Sequence, residues 1–297
     1  MSIILGRLKQ GDSIGLIAPA GPVAPEEIRT ALRVFEEKGY RIIEGAHLYD
    51  RHAYLAGTDD LRLKDFHEMF QNPDVRAILC ARGGYGTPRL LDKIDFDIIR
   101  ENPKFLIGYS DITALLLAVY HKTGLPVCHG PMAKNTGDRE DNLNGLLSFL
   151  SSEKEIVYNL MQENVLIEGK ASGRLLGGNL SLVSSLAGTS FLPSFKDCIL
   201  FLEDRGEPLY RIDRMLTQLK LGNALEGVKG VIAGSFEDCG DINEVNGLLT
   251  DIFPSNCPVY SDFPAGHGRI NRPLMIGTGA LLDTSGLIFK TSISDYG

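Results

Sequence analysis

The 297-residue chain has no tryptophan, and its five cysteines, Cys80, Cys128, Cys198, Cys239 and Cys257, are scattered with no C-x-x-C spacing. An odd, dispersed set argues against a disulfide framework and for free thiols in a reducing compartment. None of the six histidines has a partner at H-x-x-x-H or H-x-x-E spacing, so the helical metal-peptidase pattern is missing and no metal is expected. The longest apolar stretch, Ala114 to Tyr120, is too short to cross a bilayer. The N-terminal MSIILGRLKQGD holds an apolar patch too short for a signal peptide. Basic residues are in the minority, 30 Lys and Arg against 38 Asp and Glu, giving a net charge of −8. That balance speaks against a nucleic-acid or anionic-membrane partner. Internal repeats and low-complexity segments are also lacking. A cytoplasmic protein is the expectation.

What is present is ordinary globular composition, 43% hydrophobic and 23% charged, enough for a large core and for one large domain or two smaller ones. Ser13 to Ala18 reads as a buried strand, Glu26 to Lys38 as a helix closed by Gly39, and Arg41 to Ile43 as a second strand. This βαβ opening predicts a parallel sheet covered by helices. A helix over Asp59 to Phe70, a strand over Val75 to Ala81, and a helix running through Leu90 and Leu91 continue the alternation. Pro126 to Cys128 is a further strand and Asn142 to Leu150 a helix. The pattern changes near Ser151 to Lys154, where a domain boundary is placed. Beyond it come short strands up to Ile167, a Gly177-Gly178 turn into a helix, and strands at Cys198 to Leu202 and Val228 to Ala233. Closing strands follow at Leu274 to Gly277 and Leu287 to Lys290.

Several stretches could carry chemistry. In KFLIGYSDITALLLAVYHKT, from Lys104, an apolar strand meets a helix at Ser110. Such a corner exposes a hydroxyl over helix N-terminal N–H groups, as a serine nucleophile needs. The match to G-x-S-x-G is partial, and on this segment alone Ser110 or Asp111 reads as an ordinary helix N-cap sooner than as a nucleophile. The loop Arg82-Gly83-Gly84-Tyr85-Gly86 offers backbone donors for an anion, or half of an oxyanion hole. It is not G-x-G-x-x-G, and no ribose-binding acid follows, so a dinucleotide site is a poor second choice. Glu203 and Asp204 end an apolar strand, on the rim where site residues gather. His267 stands between two glycines in a loop with no helical face to bury it. His129, at a strand end, reads as a structural histidine. Ser110, Glu203 and His267 together can fill the roles of nucleophile, orienting acid and base, though spacing alone does not bring them together.

The motifs GD-x-IG-x-IAPA-G (Gly11 to Gly21), C-ARGGYG (Cys80 to Gly86), IGYSDIT (Ile107 to Thr113), G-x-L-x-GGNL (Gly173 to Leu180), LFLED (Leu200 to Asp204) and P-x-GHG (Pro264 to Gly268) run nearly end to end. In this order they resemble the LD-carboxypeptidases, the family of muramoyl-tetrapeptide carboxypeptidase and the microcin C immunity peptidases. The resemblance implies an α/β fold, with an N-terminal Rossmann-like parallel-sheet domain over residues 1–153 and a smaller C-terminal α/β domain over 154–297. It implies Ser110 as nucleophile, His267 as general base and Glu203 as the residue orienting it. The backbone N–H groups of Asp111 and Gly84 would form the oxyanion hole. It further implies a homodimer with no cofactor, which releases D-Ala from muropeptide tetrapeptides. Arg82, Arg174 and Arg205 are candidates for the substrate's terminal carboxylate. The rival expectations are an immunity-type hydrolase of peptidyl–nucleotide conjugates and a non-catalytic binder of anionic small molecules. A base such as His267 sets the expected pH profile, rising through a pKa near 6–7.

Overall fold

The computed structural model describes residues 5–134, 139–152 and 155–292. The expected domain boundary at 153/154 falls outside the described residues.

The first part of the chain runs β1 (Ser13–Ile17), α1 (Pro25–Glu37), β2 (Arg41–Glu44), α2 (Asp59–Gln71), β3 (Val75–Cys80), α3 (Phe96–Glu101), β4 (Phe105–Gly108), α4 (Ile112–Thr123), β5 (Val127–His129) and α5 (Arg139–Leu150). Apart from the edge strand β2, whose Arg41 and Glu44 are exposed, these strands are nearly continuous apolar runs, as a parallel sheet covered on both faces requires. α1 starts at Pro25, where the missing N–H costs nothing, and the Glu27 carboxylate accepts from the Ala24 N–H at 2.9 Å. Ile28, Ala31, Val34 and Phe35 form its buried stripe. The helix expected through Leu90 and Leu91 is instead two single 3-10 turns, Thr87–Arg89 and Leu91–Lys93, with Pro88 in the first.

The second part runs β6 (Ile156–Asn159), β7 (Val165–Ile167), β8 (Lys170–Asn179), α6 (Leu180–Ser185), β9 (Cys198–Arg205), α7 (Leu209–Leu221), β10 (Gly230–Glu237), α8 (Ile242–Ile252), β11 (Val259–Tyr260), β12 (Leu274–Ile276), β13 (Gly279–Asp283) and β14 (Ile288–Thr291). Two sheets result. The first has six strands in the order β12-β5-β4-β3-β1-β2, parallel except for β12. The second has eight, in the order β6-β14-β13-β8-β9-β10-β11-β7, with β8 to β11 parallel at its centre. Leu274 to Ile276, read from sequence as a closing strand, crosses back and pairs antiparallel with β5. The expected Gly177-Gly178 turn is the end of β8 itself, and the polar stretch from Lys170 is its beginning.

α4 joins the two halves. Its residues Ile112 to Val119 are all buried, because one side lies on β4 and β5 while another meets β8 and α6. A helix apolar all round belongs in the interior. Among the described residues no helix is long and apolar enough to cross a membrane.

Candidate active site

Ser110 occupies the corner between β4 and α4 with φ +63°. Residues with a β-carbon rarely adopt that region, and holding one there costs on the order of 1 kcal/mol or more, so the surroundings must enforce it. They do so on both sides of the corner. The Ser110 carbonyl accepts the Thr113 N–H at 2.9 Å, closing the first turn. The buried Asp111 carboxylate accepts the Thr87 N–H at 2.9 Å, and the Thr87 hydroxyl donates to the Asp111 carbonyl. Burial pushes the Asp111 carboxyl up from its ordinary pKa, against hydrogen bonds from Thr87. The sequence allowed Ser110 or Asp111 to be an ordinary helix cap. The structure has neither as a side-chain cap: Asp111 is helical in conformation and its carboxylate points to Thr87 instead.

The glycine loop after β3 approaches this corner. A β-carbon on Gly83 would lie 2.9 Å from Ser110 Cβ, 3.1 Å from its Oγ and 3.5 Å from the Asp111 nitrogen. Only a bare α-carbon fits there. The loop is tied to its neighbours, with the Gly21 N–H donating to the Gly83 carbonyl at 3.2 Å. Arg62, fully buried on α2, donates to the Gly86 carbonyl at 3.1 Å and to the Pro19 carbonyl, and it pairs with Asp59. Burial lowers its pKa while Asp59 opposes the shift. This clamp has no signal in the sequence, where Arg62 is one more charged residue on an amphipathic helix.

The second sheet contributes a buried acid and a histidine. Glu203, near the end of β9, is wholly buried, and its Oε2 lies 2.7 Å from His267 Nδ1. With Nδ1–H donating to the carboxylate, Nε2 is left as the free acceptor. Burial pulls the His267 pKa down, but the charge and hydrogen bond of Glu203, with Asp204 behind, override it and hold the imidazole above its ordinary value. The loop is fixed by the Gly266 N–H on Asn271 Oδ1 and the Gly268 N–H on Ser235 Oγ, each at 2.9 Å. Gly266 has φ +110°, and a β-carbon there would lie 2.6 Å from Glu203 Oε2. Glycine is what lets the backbone pass beside the acid.

The halves meet at this point. The ring of Tyr109, the residue before Ser110, packs edge-on against the His267 ring with centroids 4.9 Å apart. The Asn179 N–H donates to Thr113 Oγ1 at 3.1 Å, and Asn179 is in register with Glu203. Gly178 (φ +147°) runs so close to α4 that a β-carbon would lie 2.6 Å from Thr113 Cγ2. His129 is fully buried between Tyr109 and Phe201, with centroids at 5.9 and 4.8 Å. Burial holds its pKa down at about 4, so it stays neutral, as a structural histidine would.

The three candidate arginines fall in different places. Arg82 donates to the Gly83 and Pro22 carbonyls, and Arg205 pairs with Asp238 on the rim. Arg174 lies opposite Cys198, five positions along β8 from the Asn179–Glu203 pair, or about 16 Å away along the strand. That distance removes it from the site. A cavity of about 700 Å³ borders the histidine loop, lined by Ser235, Glu237, Asp262, Gly268, Arg269 and Arg272 among others.

Comparison with known proteins gives one family. Residues 14–130 match the LD-carboxypeptidase N-terminal domain and residues 172–282 the LD-carboxypeptidase C-terminal domain. The chain is 40% identical over 302 residues to a "Probable murein peptide carboxypeptidase" of Bacillus subtilis (strain 168), covering 98% of this chain and 93% of that one. Its structure resembles a muramoyltetrapeptide carboxypeptidase from Oxalobacter formigenes, with TM-score 0.84, 30% identity, and 96% and 99% of the two chains covered. It also resembles an MccF-like protein from Bacillus anthracis str. Ames, with TM-score 0.90, 30% identity, and 99% and 100% covered.

Proposed function

The chain belongs to the LD-carboxypeptidase family, and from that premise we propose that it is a serine peptidase releasing the terminal D-alanine of muropeptide tetrapeptides. The observation that carries the reading is the 2.7 Å contact of Glu203 with His267, on a ring that abuts Tyr109 next to a conformationally strained Ser110. Each part suits one role in acyl transfer. His267 Nε2 takes the Ser110 Oγ proton as the hydroxyl attacks the carbonyl between the L-centre of the diamino acid and D-Ala. Glu203 fixes the tautomer and stabilises the imidazolium that forms. Negative charge builds on the carbonyl oxygen, and the Asp111 and Gly84 N–H groups receive it. The Gly84 nitrogen is two bonds from the Gly83 α-carbon, which faces Ser110. The imidazolium then passes its proton to the leaving amine, D-Ala departs, and a water activated by the same histidine hydrolyses the acyl-enzyme. No step calls for a cofactor.

The reading includes a cytoplasmic homodimer. Five free and buried cysteines suit a reducing compartment. The dimer rests on the family resemblance and is read by light scattering. The 40% identity to a murein peptide carboxypeptidase, against 30% to the MccF-like protein, favours a cell-wall peptide over a peptidyl–nucleotide.

The test is mass spectrometry of L-Ala-γ-D-Glu-meso-diaminopimelate-D-Ala incubated with the protein and with Ser110→Ala. Loss of one alanine with the wild type alone is expected. No loss from a protein that still labels with a fluorophosphonate at Ser110 would keep the hydrolase and discard the substrate.

A further inference from the structure

Two tyrosines have side chains that take no part in the site described so far. Tyr54 and Tyr85 are 61% and 49% exposed, yet their rings lie 5.7 Å apart at a 60° tilt. They come from different loops at the carboxyl edge of the first sheet, Tyr54 from the connection after β2 and Tyr85 from the glycine loop after β3. Both loops are held firmly. A β-carbon on Gly86 would lie 2.6 Å from Leu55 Cδ2, so the two chains touch beside the pair. The Ala56 N–H donates to the Ala20 carbonyl at 2.9 Å, and Arg62 holds the Gly86 carbonyl. The result is an ordered aromatic surface facing solvent, and tyrosine supplies such contact area at low entropic cost.

Its position limits what it can meet. Tyr85 is two residues beyond Gly83, whose α-carbon faces Ser110. Two residues reach at most about 7 Å, so the pair stands on the rim, a few peptide units from the hydroxyl. On the carboxypeptidase reading, on which this inference rests, the leaving side carries a single D-Ala and no saccharide. The acyl side carries three residues, about 10 Å when extended, and then the sugar. We propose that Tyr54 and Tyr85 form a subsite for the saccharide of a muropeptide, an N-acetylmuramoyl ring laid with its C–H face on the aromatic rings. The tilted rings make an open notch suited to a puckered pyranose, whereas a flat base would be gripped by parallel faces. The nearby Arg89 is engaged with Asp59 at 2.9 Å, which leaves a neutral notch and favours a sugar over a phosphate group.

The experiment compares N-acetylmuramoyl-tetrapeptide with free tetrapeptide on the wild type, Tyr54→Ala, Tyr85→Ala and the double variant. The ratio of kcat/KM for the muramoyl substrate to that for the free peptide should fall about tenfold in the double variant, through KM. An unchanged ratio overturns the proposal. So does a change in the dimer by light scattering, which would make the pair a subunit contact. Saturation-transfer NMR on Ser110→Ala reads the subsite separately from catalysis: the sugar protons of the muramoyl-tetrapeptide should saturate, and less so once the tyrosines are removed. If the wild type cleaves neither substrate, the carboxypeptidase reading fails while this binding result still stands or falls by itself. Loss of binding to a peptidyl–adenylate conjugate, with the sugar signal unaffected, would reassign the notch to a nucleobase.

Discussion

The two sheets prepare their parts of the site by different means. On the first sheet the work is done by backbone: a serine forced to φ +63°, a glycine α-carbon pressed against it, and loops held carbonyl to N–H. On the second it is done by side chains, a buried carboxylate 2.7 Å from an imidazole. Backbone placement sets geometry without introducing charge, which suits a neutral hydroxyl that attacks on the proposed mechanism. Side-chain pairing tunes a pKa, which suits a base. Substitutions should therefore act differently on the two sides.

The largest effect is expected where either means is removed outright. Ser110→Ala and His267→Ala should each lower kcat by roughly 10⁴-fold or more with folding intact by circular dichroism, and the double variant should be little worse, since the pair acts as a unit. Glu203→Gln should be milder, because it keeps the shape and loses only the charge that stabilises the imidazolium. Activity retained by His267→Ala would remove the base from the comparison.

The join between the sheets is the next place to break it. Gly178→Ala puts a methyl 2.6 Å from Thr113 Cγ2, three residues from the Ser110 corner. The expected outcome is displacement of the first turn of α4 from β8, a loss of about 10² in kcat, and destabilisation of about 1–3 kcal/mol. Adding Thr113→Ala should recover part of the activity, and a double-mutant cycle measures the coupling. Simple additivity would mean the contact does not align the two halves.

These contrasts explain what the sequence could tell. The βαβ alternation and the apolar strands were legible because periodicity reports burial directly. Ser110, Glu203 and His267 were legible as candidates from a strand-to-helix corner, a charge after a buried strand and a glycine-flanked histidine. Their association was not, since Tyr109 against His267 and Asn179 against Thr113 are contacts between distant segments. Gly177-Gly178 reads from sequence as a turn into a helix, either a backbone-donor loop or a close approach to the other domain, because glycine marks all of these. Here it marks a strand squeezed against α4. The β12 crossover was hidden because an apolar triplet does not say which sheet it joins.

The pH dependence of activity sharpens the side-chain half. On the proposed mechanism His267 must be neutral to act as the base, and Glu203 holds its pKa above the ordinary value of about 6.5. The acidic limb of kcat/KM should therefore lie above that value, higher than a free imidazole would give. Glu203→Gln should move the limb down. A limb that stays in place would show that the acid fixes orientation alone. The same raised pKa stabilises the fold below about pH 6.5, and that contribution fades as pH rises through the folded value.

His129 gives the smallest effect and the opposite sign. Its ring is buried with neither nitrogen paired among the described residues, and its pKa is held down at about 4. The unfolded chain takes up a proton near pH 6.5 that the folded chain refuses, so stability falls as pH drops below 6.5 and the loss is complete only below about 4. At pH 5 the deficit is about 2 kcal/mol. His129→Phe keeps an aromatic ring between Tyr109 and Phe201 while removing the titration. Its melting temperature should fall less than that of the wild type between pH 7.5 and 5, measured in matched buffers. A variant that loses as much stability on acidification as the wild type would place the acid sensitivity elsewhere, and the two histidines would no longer stand as a pair tuned in opposite directions by one nearby carboxylate and by burial.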